Sequence, residues 1–437
     1  MNAVLLAVLV MLVLSVARVH VVLSLLIGAL VGGLAGGLGV VKTVQVFQDG
    51  LAGGATIALS YAMLGAFAMA IAHSGLPQAI ANWVIAKIEG AGRGGLIKWS
   101  VLLALVGISI SSQNILPIHI AFIPLIVPPL LVAMTKLNLD RRAVACCLTF
   151  GLVTTYMFLP YGFGDIFLNK ILLANIQKSG LDISGINVMH AMAIPALGMV
   201  GGLLIAVLIT YRKPRQYALI GATEASSEGP ASSPWRTGIA LAAVVLAFVI
   251  QVKTGSMIVG ALVGFVLFMV SGVVRWKDAD DVFNQGLRMM ALVGFIMISA
   301  QGFAEVMKAT DQIKPMVDAS AALFAGSKGM AALAMLVVGL IITMGIGSSF
   351  STVPIIAAIY TPLCLSMGFS PLATVALIGA AGALGDAGSP ASDSTLGPTA
   401  GLNVDGQHDH MRDTVLPTFL HFNIPVMITG WIAAMVL

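Results

Sequence analysis

Charge is scarce in this chain. Only 9% of its 437 residues are Asp, Glu, Lys or Arg, against roughly 25% in soluble domains. So few ions cannot cover a water-facing surface, which excludes a soluble globular fold. The 22 basic residues form no run and the net charge is +4, which removes the case for a nucleic-acid partner. Three cysteines, Cys146, Cys147 and Cys364, lie in apolar segments, two of them adjacent. That pattern excludes a disulfide framework and a metal-spaced thiol set. No basic residue and no clear cleavage site precede Arg18, so 1–17 is expected to be a first span and not a removed signal peptide.

Apolar residues fill the space that charge leaves. They make up 59% of the chain, with a mean hydropathy of +1.02. A spanning helix needs about 20 such residues, and 21–41, 55–73, 189–211, 256–274 and 414–437 reach that length. The expected fold class is therefore an all-α polytopic membrane protein, with the lipid bilayer as its first partner.

An internal repeat refines this. GALVG occurs at 28–32 and at 260–264, VFQDGL at 46–51 answers VFNQGL at 282–287, and Ser111, Ser112 and Pro117 align with Ser348, Ser349 and Pro354. Three matches in one order imply two copies of one unit. The first repeat is read as 1–213, with a re-entrant hairpin at about 98–134 and a broken helix at about 143–175. A flexible cytoplasmic linker, 214–235, leads to the second repeat, 236–437, with its hairpin at about 329–369 and broken helix at about 371–402. A hairpin that returns to its own side adds no crossing, so each copy crosses five times and the second is inverted. With the linker inside, fifteen basic residues fall in the cytoplasm and seven outside, in line with the positive-inside rule. Both termini then face outward.

Backbone that leaves the helix at membrane depth survives only where protein or a water-filled cavity covers it. Four such breaks stand out: SISSQNILP at 109–117, LPYGFGD at 159–165, GSSFSTVP at 347–354 and GDAGSPASDST at 385–395. Paired breaks mark a transporter site near the bilayer midplane. Asp386 and Asp393 are its sharpest members, since each left charged there would cost about 2.5–3.5 kcal/mol. They are expected to hold a cation or a proton, with Ser389, Ser392 and Ser394 adding hydroxyl oxygens. The hairpin residues Ser111, Ser112, Gln113 and Asn114, and Ser348, Ser349, Ser351 and Thr352, form a candidate substrate or second-ion site, although Ser and Thr also serve as helix caps. His119 and Asp165 join that list. Glu305 reads as a proton carrier or an interfacial group, and His408 and His410 as solvated loop residues without a role. No metal beyond Na+ and no cofactor is expected.

The run at 385–395 resembles the GD-x-x-SP-x-SD-T signature of the NhaC-type Na+/H+ antiporter family, within the wider ion transporter superfamily. Gly385, Asp386, Ser389, Pro390, Ser392 and Asp393 fall on family positions, while Ser394 stands where the family has Thr. Residues 1–88 resemble an N-terminal antiporter module of one branch, which includes carriers of amino acids. The resemblance implies an elevator-like or rocking carrier coupled to Na+ and H+, in the cytoplasmic membrane of a prokaryote, and is compatible with a homodimer. Ala387 follows GD where the antiporters commonly have Lys, so a charge that would tune the aspartates is missing.

The leading expectation is an ion-coupled secondary transporter exchanging Na+ for H+. The alternative is a Na+- or H+-coupled transporter of an amino acid or small carboxylate. An intramembrane aspartyl protease would need GxGD, where this chain has ALGD at 383–386, and a Tyr-Asp pair, which it lacks. It is not read as an enzyme.

Overall fold

In the computed structural model, residues 2–90, 94–114, 122–218, 233–316, 319 and 327–437 are described. They are helical, with no strand among them. The first half runs α1 (Ala3–Val16), α2 (Val21–Ala35), α3 (Gly39–His73), α4 (Leu76–Gly90), α5 (Gly94–Asn114), α6 (Phe122–Lys136), α7 (Arg141–Phe158), α8 (Phe163–Lys178) and α9 (Val188–Thr210). After the linker come α10 (Pro234–Thr254), α11 (Met257–Val270), α12 (Ala279–Ala309), α13 (Lys328–Ile346), α14 (Ser349–Ser366), α15 (Pro371–Ala383), α16 (Asp393–Leu402) and α17 (His410–Val436). Eight spans among the described residues are long and apolar enough to cross a membrane, with α15 and α16 counted together. A ninth appears if α7 and α8, bent by 53°, form one.

Three expected spans, 1–17, 21–41 and 256–274, hold helices of 14, 15 and 14 residues, shorter than the sequence suggested. Segment 21–41 is helical only to Ala35, because Gly36 and Gly37 follow and Gly37 takes φ +82, outside the right-handed helix. With 14 and 15 residues, α1 and α2 each rise about 21–23 Å, and they pack as a hairpin.

The matched sequence segments make matching contacts about the long helices α3 and α12, which run antiparallel. A methyl group at Gly50 of α3 would stand 2.9 Å from the Gln301 carbonyl oxygen of α12. Shifting that contact by the repeat offset turns Gly50 into Gly286 and Gln301 into Gly65, and there a methyl on Gly286 would meet the Gly65 carbonyl at 2.4 Å. The two GALVG copies behave likewise. A methyl at Gly28 would approach Ala7 O of α1 at 2.9 Å, and one at Gly260 would approach Ala247 O of α10 at 2.8 Å. Gly32 then faces Met307 of α12, while Gly264 faces Phe67 of α3. Each short hairpin thus leans on the other half's long helix, and the glycines recur because only they permit such close approach.

Register differs from the sequence expectation in the hairpins. Ser111 and Ser112 lie in the last turn of α5, the outgoing arm, whereas Ser348 and Ser349 open the return arm α14. In the second half Gly347, at φ +72, stops α13 just before them. The SSxxxxP match therefore joins positions that are not equivalent. Gln113 Nε2 donates to Leu152 O at 3.1 Å and Thr343 Oγ1 to Gly382 O at 3.4 Å, in each case linking the hairpin's first arm to the following helix.

Candidate ion and substrate site

The second broken helix builds the centre of the site. α15 ends at Ala383, and Gly385 takes φ +91 with its N–H donating to Asn423 Oδ1 of α17 at 3.1 Å. A methyl at Gly385 would stand 2.8 Å from Met344 N of α13, so only glycine fits there. A short turn at Asp386–Gly388 follows. Ser389 Oγ donates to Met344 O at 3.0 Å and accepts from Ala391 N at 3.1 Å, and Thr395 Oγ1 donates to Ser389 O at 2.6 Å. Ser389 therefore braces the break, and its proton is committed to Met344 and not to a carboxylate. Ser392 caps α16 by accepting from Ser394 N at 3.1 Å, and donates to Asp386 Oδ1 at 2.5 Å.

Asp386 is buried, 4% exposed, and its second oxygen accepts from Tyr156 OH and, at 3.1 Å, from Ser349 Oγ. Tyr156 OH and Ser349 Oγ are themselves 2.8 Å apart. Three neutral hydroxyls thus surround the carboxyl, and among the described residues no ion pair reaches it. A buried carboxylate is ordinarily matched by a partner charge or neutralised by a proton, and among the described residues the side-chain groups that reach this one are neutral hydroxyls. Asp393 is half-buried at the start of α16, where Tyr61 OH of α3 donates to its Oδ2 at 2.9 Å. Ser394 Oγ lies 3.4 Å from its Oδ1.

Both aspartates open onto a cavity of about 240 Å3. Its polar wall holds Gln113 at the end of α5, Gln301 of α12, and Ser348 and Ser351 at the start of α14. Phe163 and Phe350, with ring centroids 4.7 Å apart, form an apolar wall. Of the residues nominated by sequence, Asp386, Asp393, Ser394, Gln113, Ser348 and Ser351 line the cavity, and Ser349 and Ser392 bind Asp386. Ser111 donates to Gly107 O, Ser112 to Ser109 O and Thr352 to Ser348 O, all within their own helices. Asp165 is not among the residues that line the cavity; it is partly exposed, held by Asn169 Nδ2 at 2.7 Å and Lys170 Nζ at 3.5 Å. His119 and the side chain of Asn114 lie outside the described residues. Sequence reasoning missed Tyr61 and Tyr156. Tyr156 stands three residues ahead of the LPYGFGD break, and that position in a chain with six tyrosines was the available signal.

A second cluster sits on the linker face. Arg141, at the start of α7, is fully buried and holds Asp405 by two bonds of 2.6 Å, with a third to Leu402 O at 3.1 Å. Its guanidinium lies 4.3 Å from the Tyr217 ring. Arg215 reaches Asp413 at 2.9 Å, and Lys98 Nζ donates to Arg212 O at 3.1 Å. Residues that the charge pattern put inside are therefore neighbours in space. His408 is buried here, with Nε2 2.7 Å from Thr414 Oγ1, and His410 Nε2 lies 3.0 Å from Pro390 O in the break. The reading of both as solvated is corrected, because the loop folds back onto α16 and α17. Glu305 pairs with Lys308 at 2.5 Å with its side chain 42% exposed, and it is not among the residues that line the cavity.

A model described as the Na+/H+ antiporter family matches residues 147–431, and a second, described as the Na+-H+ antiporter family, matches residues 2–88. An uncharacterised membrane protein of Vibrio parahaemolyticus is 54% identical over all of both chains. A Bacillus subtilis protein named "Putative amino acid transporter YuiF" is 49% identical, again over all of both. Among solved structures, the YdaH transporter of Alcanivorax borkumensis aligns with a TM-score of 0.45 at 15% identity, covering 89% of this chain and 86% of that one. MtrF of Neisseria gonorrhoeae aligns at 0.45 and 14%, covering 91% and 85%.

Proposed function

Because this chain belongs to the Na+/H+ antiporter family and is an ion-coupled, multi-pass membrane transporter, we propose that it exchanges Na+ for H+ by alternating access at Asp386 and Asp393. One observation carries the reading: a buried carboxyl, ringed by hydroxyls and with no fixed cation on it among the described residues, opens onto a cavity between the two halves. Its donor set is all oxygen, the hard ligand chemistry that suits an alkali cation. Asp386 with the Ser349, Ser392 and Tyr156 oxygens would hold Na+, and Asp393 with Tyr61 would share its charge.

Proton and cation compete for the same lone pairs. When Asp386 is ionised, the hydroxyls donate to it, and charge-assisted bonds of that kind contribute about 1.5–3 kcal/mol each. When it takes a proton, its own O–H joins the ring, and the Tyr156–Ser349 contact can then carry a hydrogen bond too. Either occupant neutralises Asp386 before the site moves, which removes that carboxylate's charge from the lipid-crossing step.

The antiparallel α3–α12 pair and the matched glycine contacts support an inverted repeat, in which the break of one half mirrors that of the other. The linker face, rich in Arg and Lys, lies in the cytoplasm of a prokaryote under this reading, with both termini outside. The test is proton flux in proteoliposomes containing a pH dye, with a Na+ gradient and no organic solute. Antiport requires Na+ alone to move protons; silence under those conditions rejects it.

A second reading has its own observation. A cavity of about 240 Å3 is roomier than a lone cation needs, and an organic solute carried with the ion would use that space.

A further inference from the structure

A second cavity, of about 450 Å3, lies on the linker face, apart from the ion site. We propose that it holds the phosphate of an anionic phospholipid from the leaflet on that side, whose acyl chains leave along α12. Nothing in this depends on which solute the protein carries.

Helix lengths set the depth of the cavity. Arg18 and His20, in the turn between α1 and α2, line it opposite Met289, Leu292 and Ile296 of α12. Asn403 at the end of α16 and Arg412 at the start of α17 close it. The apolar run of α12 extends from Met289 to Ala304, between Arg288 and Glu305, and rises about 24 Å. Because α1 and α2 are short, their turn does not reach the linker-side end of α12. It stops where that apolar run begins, which is the level at which lipid headgroups meet hydrocarbon. From Met289 the wall climbs about 10 Å to Ile296. Leu292, 53% exposed, carries it to the outer surface of the bundle.

The polar end of the cavity is rich in donors. Arg141, Arg142, Arg215 and Arg275 each hold an aspartate. By contrast, neither the Arg18 nor the Arg412 guanidinium meets a carboxylate among the described residues. His20 Nδ1 accepts from Val22 N at 3.3 Å, so the proton of the neutral ring sits on Nε2. Asn403 Oδ1 accepts from His408 N at 3.2 Å, which leaves its amide nitrogen to donate. The acid in the wall, Asp409, is engaged as the cap of α17, where it accepts from Arg412 N at 2.8 Å. Arg18, His20, Asn403 and Arg412 are all exposed, so an incoming ligand can reach them.

Two guanidinium groups, an imidazole N–H and an amide N–H call for a partner that is anionic and only accepts, which describes a phosphate diester. A cation would meet two arginines there, and a water-soluble phosphate would leave the apolar wall bare. The volume, about 450 Å3, is the liquid volume of roughly fifteen waters. That suffices for phosphate, glycerol and the first methylenes, and the rest of each chain passes out beside Leu292.

The experiment titrates the purified full chain in detergent with dioleoyl phosphatidylglycerol and counts retained lipid by native mass spectrometry. Dioleoyl phosphatidylcholine, with the same chains and no net charge, and glycerol 3-phosphate, with no chain, are titrated alongside. The proposal expects one glycerol lipid to be retained in preference to both. Arg18→Gln and Arg412→Gln should each raise its dissociation constant at least about tenfold, the share of one charge-assisted hydrogen bond. Asn403→Asp, which can still accept from His408 N but turns a donor into an acceptor, should do the same. Arg288→Gln removes an equal charge at the same level of α12, outside the cavity, and should change little. These side chains are exposed, so each variant should melt as wild type does without lipid, and one that melts early leaves the other two to decide. Equal retention of the choline lipid overturns the proposal, as does an Arg288→Gln loss as large as that of Arg18→Gln. Glycerol 3-phosphate binding as tightly as the lipid would make the occupant a soluble phosphate ester instead.

Discussion

Arg141 offers the most direct test of how the two halves are joined. Its guanidinium is 1% exposed and its partner Asp405 7%, so the pair is dry, and two bonds of 2.6 Å align the groups as a fork. The pair ties the first turn of α7 to the loop after α16, so it clamps the broken helix of one half to that of the other. Breaking a buried pair by removing one partner typically costs about 3–5 kcal/mol, whereas replacing both with apolar groups is often neutral. Arg141→Met and Asp405→Leu should each lower the free energy of unfolding in detergent by about that amount. The double variant should return to within about 1 kcal/mol of wild type. Folding measured by titration with a denaturing detergent gives all four corners of the cycle. Acid should act like the mutation. Burial opposes ionisation of Asp405, but Arg141's bond and charge outweigh it and hold the carboxyl below its ordinary range. A folded-state value below the unfolded one means that stability is present above the usual carboxylate range and is lost as pH falls through the lowered one. Single losses below about 1 kcal/mol that simply add in the double variant would refute the clamp.

Three further outcomes follow from named contacts. Asp386→Asn and Asp393→Asn should each abolish Na+-driven proton flux while inserting normally, and retained flux in either removes that residue from the ion site. Gly286→Ala would put a methyl 2.3 Å from Ala66 N and should cost about 1–3 kcal/mol by forcing α3 and α12 apart. Gly294→Ala, whose methyl would meet Ala58 at 3.4 Å, should be near neutral, and equal losses would contradict the packing. Burial, first among its causes, lowers the His408 imidazole pKa. Unfolding therefore takes up a proton, and stability should fall as pH drops below the ordinary histidine value of about 6.5. His408→Gln should flatten that acid limb in a pH series of melting temperatures.

Much of this was legible because a membrane leaves few reasons for polar residues. Asp386 and Asp393 between apolar runs, with Gly385 and Pro390 beside them, announce a broken helix, and the structure places the break there. The repeated GALVG was legible as a repeat, but its meaning, close contact with the opposite half's long helix, required three dimensions. What stayed hidden were residues whose type is ordinary in a core. Tyr61 and Tyr156 drew no role from the sequence, and only the fold brings their hydroxyls to the carboxyls. The alignment of Ser111 with Ser348 failed because both hairpins use Ser near a turn for helix ends, so the motif repeats at positions that do not correspond. His408 and His410 looked solvated because a short polar run such as GQHDHMRD gives no hint that the loop folds inward.

The two halves share a scaffold and divide the chemistry. Both broken helices stop at a leucine, Leu159 and Leu384, and both then place a glycine at positive φ, Gly162 and Gly385. Only the second follows with carboxylates in the cavity; the first supplies Tyr156 and Phe163, and its own Asp165 is turned outward onto Lys170. Had both breaks carried the pair, four carboxylates would face one cavity of about 240 Å3. Their mutual repulsion would favour protonation of most of them over binding of a cation. Confining the acid to one break leaves two carboxylates, Asp386 and Asp393, whose joint charge calls for two positive occupants and not four. A neutral first break keeps donors, Tyr156 OH above all, aimed at Asp386 from across the repeat boundary. Any motion that separates the halves must therefore break the Tyr156–Asp386 bond, which ties occupancy of the carboxyl to the distance between the two broken helices.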